Sequence, residues 1–157
     1  MLDFIPMTPA LYETWSRASA ADYAKENVVS GRWTREEALS RSEQEFAGLL
    51  PAGLATTDNY LFSIVDDQVS EPVGMIWFAA VWEGGRRHAF VYDFEIFEAY
   101  RRKGYGTRAL LRLDECVREL GLSVVSLHVF AHNRAARELY GKAGYRETDV
   151  IMSKELR

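Results

Sequence analysis

A chain of 157 residues, 48% hydrophobic and 27% charged, has apolar material for one core and a balance that excludes whole-chain disorder. The formal net charge of −4 argues against a dedicated nucleic-acid binder, which carries a basic surplus. A lone cysteine, Cys116, excludes an internal disulfide and fits a reducing cytosol. The start Met1-Leu2-Asp3-Phe4-Ile5-Pro6 has no basic stretch before an apolar one, so no signal peptide is expected. The longest apolar run, Val73 to Trp82, is too short to cross a bilayer. The expectation is a single domain over residues 1–157, cytoplasmic, with no nucleic-acid or membrane partner.

In chain order, Leu2 to Met7 reads as a short strand. Thr8-Pro9 supplies an N-cap and a proline at the first helical position. The helix they open runs through Tyr12, Trp15, Ala18 and Tyr23 and ends before Gly31. Thr34-Arg35-Glu36-Glu37 matches a capping box, with Glu37 placed to reach back to the Thr34 amide. The second helix carries Ala38, Leu39, Phe46, Leu49 and Leu50 and stops at Pro51. A polar loop leads to a strand over Tyr60 to Asp66, and a turn leads on to Pro72 to Trp82. That second strand is apolar on both faces, which predicts a central position covered from both sides. Glu83-Gly84-Gly85-Arg86 reads as a hairpin turn into a strand over His88 to Phe97. After a glycine-rich turn, a long helix runs to Leu120 and stops at Gly121. Ser123 to Phe130 reads as a strand, Asn133 to Ala143 as a helix, and Tyr145 to Asp149 and Val150 to Glu155 as two closing strands. The early run of strands implies antiparallel pairing, and the late strand–helix–strand passage implies a parallel pair.

The glycine-rich turn Arg101-Arg102-Lys103-Gly104-Tyr105-Gly106-Thr107-Arg108 carries the most chemistry. Amides at a helix N-terminus have no internal partner, and the helix dipole makes that end positive. Gly104 and Gly106 let the backbone approach a phosphate closely, and Arg101, Arg102 and Lys103 add full charges. A P-loop is excluded because no Gly-Lys-Ser/Thr run is present. A dinucleotide fingerprint is excluded because its third glycine position holds Ala109. By itself the turn also fits a solvated basic helix start.

Arg101, Gly104 and Gly106 fill an Arg-x-x-Gly-x-Gly pattern that resembles the acetyl-CoA pyrophosphate loop of the GNAT acetyltransferases. A second block, Asn133 to Tyr140 followed by Gly144-Tyr145, resembles that family's Asn-x-x-Ala-x-x-x-Tyr…Gly-Phe/Tyr segment, at the family's spacing. The resemblance implies an α/β (α+β) fold. Its mixed, mostly antiparallel sheet has about six to seven strands, splays between the fourth and fifth, and is flanked by about four helices. It also implies acetyl-CoA as co-substrate and an amine as acceptor. The Ile96, Phe97 and Glu98 backbone would pair with the pantetheine arm, much as an added strand does. The amides of Arg102, Lys103, Gly104, Tyr105 and Gly106, with Arg101 and Thr107 in the same loop, would hold the pyrophosphate. Asn133 would bond the pantetheine arm, and Arg137, one turn on, would reach the phosphates.

Transfer of an acetyl group to an amine needs a base, because an alkyl ammonium has a pKa of about 10.4. It also needs a donor for the developing oxyanion, which the family takes from a fourth-strand amide near Phe97, and a proton for the leaving thiolate. Tyr140 matches the family's tyrosine acid, although periodicity alone reads it as core packing with Ala136 and Ala143. Alternation puts Asp93 and Glu95 on one face, opposite Tyr92, Phe94 and Ile96. Two neighbouring carboxylates in an apolar strand suit a base, with Glu95 nearer the acetyl position. A solvated or arginine-paired face fits them equally, and a family bulge in this strand would change which side chain faces the cleft. His88, His128 and Cys116 read as structural, and no Cys/His cluster has metal-ligand spacing, so no metal is expected.

Trp15, Tyr23, Trp33 and Tyr60, with Glu13, Asp22 and Glu26, fall where the family binds its acceptor. Aromatics beside carboxylates suit a cation, although Trp15 and Tyr23 also fit a core face. The acceptor is a small-molecule or protein amine, and dimers are common in the family, which leaves a homodimer open. The rival function on the same fold is a non-catalytic acyl-CoA sensor, which would keep the loop and Asn133 without needing an acid or base.

Overall fold

The computed structural model describes residues 1–157. Five strands and four helices form in the order β1 (Leu2–Pro6), α1 (Pro9–Val29), α2 (Arg35–Leu49), β2 (Asn59–Asp66), β3 (Gly74–Glu83), β4 (Arg86–Ile96), α3 (Tyr105–Glu119), β5 (Val125–Leu127) and α4 (Arg134–Lys142). Short 3₁₀ turns occupy Gly53–Ala55 and Glu98–Tyr100. Local chemistry sets the helix starts. Thr8 Oγ1 accepts from the Leu11 amide at 3.2 Å ahead of Pro9, and the Thr34 amide donates to Glu37 at 3.3 Å.

The sheet has the order β1-β2-β3-β4-β5. The first three pairings are antiparallel and β4–β5 is parallel, which is the mixed, mostly antiparallel sheet expected. As its composition predicts, β3 is central and buried on both faces. Ile76 and Phe78 face one core, with Phe4, Ile64 and the α3 stripe Ala109, Leu110, Leu113 and Val117. Met75 and Trp77 face a second core, with Met7, Leu50 and Leu61, closed over by Trp15 of α1 and Phe46 of α2. Ser42 Oγ donates to the Ala20 carbonyl at 2.6 Å, pinning α2 onto α1. No helix is long and apolar enough to cross a membrane.

The sheet is smaller than the six to seven strands expected. Tyr145 to Asp149 and Val150 to Glu155 form no strand, and the expected Ser123–Phe130 strand is reduced to Val125–Leu127. β-propensity makes a strand only where a neighbouring edge supplies partners for its backbone. The chain beyond Tyr145 pairs with no edge, although the outer edge of β5 is open: Val150, Ile151 and Met152 are exposed, and Glu147 instead pairs with Arg137 at 2.8 Å.

Candidate active site

The site begins with a defect in a ladder. Trp77 pairs with Asp93 and Phe78 with Val91, so Tyr92 has no partner and β4 bulges there. A bulge inserts one residue and reverses the alternation beyond it. Tyr92, Asp93, Glu95 and Phe97 therefore all face one cavity, while Val91, Phe94 and Ile96 pack against the α3-side core. This corrects the simple alternation. Asp93 and Glu95 share a face as expected, but Tyr92 lies on it with them rather than opposite.

The parallel pairing of β4 with β5 stops at the same point. Ala89, Phe90 and Val91 pair with Val125, Ser126 and Leu127, and nothing pairs beyond them. Here the sheet splays, leaving the β4 edge from Tyr92 to Ile96 open. The Phe97 amide donates to the Val73 carbonyl at 2.9 Å, on the β3 side. By alternation the Ile96 amide turns toward the gap, while its carbonyl takes Arg101 Nε at 2.8 Å.

The cavity measures about 880 Å³ and lies between the sheet and the α1–α2 hairpin. Trp77 is its floor, with Tyr92 stacked on it at 4.6 Å, and Trp15 and Phe46 each at 5.6 Å. Asp93 is half-buried under α1. Its Oδ2 accepts from Ser19 Oγ at 2.6 Å and Trp15 Nε1 at 2.9 Å. Desolvation pushes its carboxyl up, and these two donors with the Phe94 amide only partly oppose that. Glu95 is more open, with its side chain 46% exposed and Arg101 at 3.5 Å. Desolvation first, then the charges of Asp93 and Asp22, raise it above the usual carboxylate range against the pull of Arg101. His128 also lines the cavity, where desolvation and then Arg32 lower its pKa. His88 is buried at the far end of β4, beside Glu83 at 3.5 Å.

Tyr140 lies on the other side of β4, half-buried between Phe94 at 6.5 Å and Tyr145 at 5.5 Å. Burial, with a smaller contribution from Asp93, pushes its phenol up to about 12. It stands beside the open β4 edge rather than in the cavity wall.

At the glycine-rich turn, Gly104 is the N-cap of α3 at φ +81°, and an added Cβ would meet nothing within 4 Å. Arg102 precedes it at φ +60°. Arg102 is exposed and makes no ion pair, and the Lys103 ammonium sits 5.7 Å above the Tyr100 ring. Tyr105 is buried, Gly106 rests on Leu139, and Thr107 is exposed. Glu98 lies in a 3₁₀ turn, its carbonyl taken by the Arg101 amide at 3.3 Å. This leaves an open, positively charged helix start, the surroundings a pyrophosphate requires. Asn133 caps α4, accepting from the Ala136 amide at 3.2 Å. Arg137 is engaged with the Ala131 carbonyl at 3.2 Å and with Glu147.

Of the aromatics expected around the acceptor, Trp15 and Tyr23 line the cavity, as do Asp22 and Glu26. Trp33 is instead buried among Ala24 and Ala38, Tyr60 stacks on Phe78 on the opposite face, and Glu13 pairs outward with Arg17. Sequence reasoning missed Ser19, Phe46, Trp77, Tyr92 and Phe130. Ser19 alone left a signal, standing one helical turn after Trp15 on the same face. Gly74 was also missed: a Cβ there would collide with the Glu95 carbonyl oxygen.

A model described as the acetyltransferase (GNAT) family matches residues 12–145. The uncharacterized N-acetyltransferase YycN of Bacillus subtilis (strain 168) is 42% identical over 151 residues, 96% of each chain. YdgE of the same organism, named likewise, is 41% identical over 150 residues, 96% of this chain and 95% of that one. The crystal structure of YycN matches with a TM-score of 0.94 at 41% identity, covering 100% of this chain and 99% of its own. AAC(6')-Iy, in complex with the bisubstrate analogue CoA-S-monomethyl-acetylneamine, shares the fold at a TM-score of 0.60 and 12% identity, over 100% of this chain and 99% of its own. The chain is a member of the GNAT acetyltransferase family.

Proposed function

We propose that this protein transfers the acetyl group of acetyl-CoA to a primary amine by direct attack in a ternary complex. The observation that carries the reading is the coincidence of three features in β4. The end of β5 pairing at Val91, the bulge at Tyr92 and the two carboxylates fall within five consecutive residues, Val91 to Glu95. The open edge accepts an extended amide-bearing arm, and the carboxylates face the cavity from which an amine would approach.

In this reading Arg102, Lys103 and the free amides at the start of α3 hold the pyrophosphate. Asn133 lies by the pantetheine arm, and Arg137 would have to leave Glu147 to reach a phosphate. Glu95 accepts the proton of the incoming ammonium, directly or through water, because it is the more accessible of the paired carboxylates. Asp93, fixed by Ser19 and Trp15, keeps Glu95 basic. The amine lone pair forms the new C–N bond as the C–S bond breaks. The Ile96 amide donates to the acetyl oxygen as charge builds on it. Tyr140, a phenol protonated at neutral pH as any tyrosine is, gives its proton to the departing sulfur.

Thiol release from acetyl-CoA across a panel of primary amines, alongside calorimetric binding of acetyl-CoA, tests this. Turnover with an amine class supports it. Binding without turnover on any amine would favour a sensor, and no binding would overturn the acetyl-CoA reading.

A further inference from the structure

The cavity says more about the acceptor than that it carries an amine. We infer that the acceptor is a small monoamine whose single ammonium is joined by a short linker to an aromatic or similarly bulky apolar group. This rests on the acetyl-transfer reading above. The charged and apolar parts of the cavity are segregated. Asp22, Asp93 and Glu95 all line the cavity, Asp93 is bonded to Ser19 of α1 one helical turn from Asp22, and the charge of Asp22 bears on both of the others. That places one anionic locus at the open edge of β4. Of the remaining carboxylates of the wall, Glu26 meets His132 and Glu71 accepts from the Tyr100 hydroxyl at 2.6 Å, while Glu45, beside Phe46, has no partner. Arg32 is the only guanidinium in the wall, and no lysine lines it.

Away from the anionic locus the surface is aromatic. Trp77, Tyr92, Phe46 and Trp15 form one continuous set of rings, and Tyr23 extends it to Phe130 at 6.3 Å. Hydroxyl groups are scarce. Thr14, Ser19 and Ser63 are the aliphatic ones in the wall, and Ser19 is already given to Asp93. A polyhydroxylated amine would leave most of its hydroxyls unpaired against rings, and a buried unpaired polar group is unfavourable. A polyamine would carry its second ammonium across the aromatic surface, where Glu45 is the one carboxylate left without a partner. An apolar ring on a short linker has its ammonium at the carboxylates and its flat face on Phe46 and Tyr92, which Trp77 backs from beneath. A volume of about 880 Å³ holds such a molecule together with the acetyl end of the donor.

The test compares 2-phenylethylamine, ethylamine, spermidine and tobramycin as acceptors for the wild-type protein, reading thiol release. Burial of a phenyl group predicts a kcat/KM for 2-phenylethylamine about 10- to 100-fold above that for ethylamine. It also predicts a value above those for spermidine and tobramycin. Phe46→Ala is expected to shrink the phenylethylamine-to-ethylamine ratio, while acetyl-CoA affinity reports that the variant is folded. Equal rates for the two simple amines, or faster acetylation of spermidine or tobramycin, would overturn the inference and leave acetyl transfer standing. Failure to bind acetyl-CoA would overturn both. If acetyl-CoA binds and none of the four turns over, calorimetry of 2-phenylethylamine with the CoA-bound protein decides. Binding there supports the inference, and its absence refutes it.

Discussion

Replacing Gly74 with alanine probes how tightly β3 holds the site. Gly74 stands opposite Ile96 in the antiparallel ladder, one step from Glu95. A Cβ there would strike the Glu95 carbonyl oxygen and come within 3.1 Å of both Cα and Cδ1 of Ile96. Two of these three atoms are backbone, so no rotamer change relieves the crowding, and β4 itself has to move. Overpacking of this kind costs about 1–3 kcal/mol. For a chain of this size that is a fall in Tm of roughly 2–12 °C. The shift also carries Glu95 and the gap-facing Ile96 amide. A displacement near 1 Å at reacting groups costs about 100-fold in rate. Thermal unfolding and kcat/KM for thiol release should be measured on the same preparation, at a temperature where the variant stays folded. Gly48→Ala is the control, since it lies in α2 and its Cβ meets nothing within 4 Å. It should leave Tm unchanged or raise it. A Gly74→Ala protein with wild-type Tm and wild-type kcat/KM would refute the claim that β4 is held rigidly against β3 at the site.

Asp93→Asn separates burial from catalysis. Because the folded-state pKa of Asp93 is raised, its contribution to stability is fully present below the unfolded value, near 3.9, and is lost as pH rises through the folded value. The asparagine variant, which can still accept from Trp15 and Ser19, should therefore gain in Tm relative to wild type as pH rises. A relative gain at low pH instead would reverse the sign of the argument. Glu95→Gln should flatten the rise of rate with pH, a rise whose midpoint lies above the ordinary carboxylate range. An unaltered profile would remove Glu95 as base. Tyr140→Phe should lower kcat far more than acetyl-CoA affinity, and an unchanged kcat would exclude the phenol as acid. Gly104→Val adds a branched side chain whose Cβ meets nothing within 4 Å but sits at φ +81°, so it strains the turn by about 1–2 kcal/mol and crowds the phosphate site. Calorimetry should show weaker acetyl-CoA binding, and wild-type affinity would place the pyrophosphate elsewhere.

Features set by neighbours in sequence were legible from the chain alone. Thr8 and Thr34 mark helix starts because capping involves residues three or four apart. The two-faced burial of β3 follows from its composition, and the open helix start at Gly104 follows from glycine and the basic run around it. The paired blocks at Arg101 to Gly106 and Asn133 to Tyr145 carried the family. What the tertiary structure decided depends on residues far apart. The bulge at Tyr92 exists only in register with Trp77 and Phe78, and it determines which side chains of β4 face the cavity. The hydrogen bonds that hold Asp93 come from Trp15 and Ser19 on a helix more than seventy positions earlier. Strand propensity in the last residues produced no strands, because a strand needs a paired edge and propensity does not supply one. Local hydrogen-bonding rules are written into short stretches of sequence, whereas strand register and cavity walls are settled only when distant elements pack and compete for the same space.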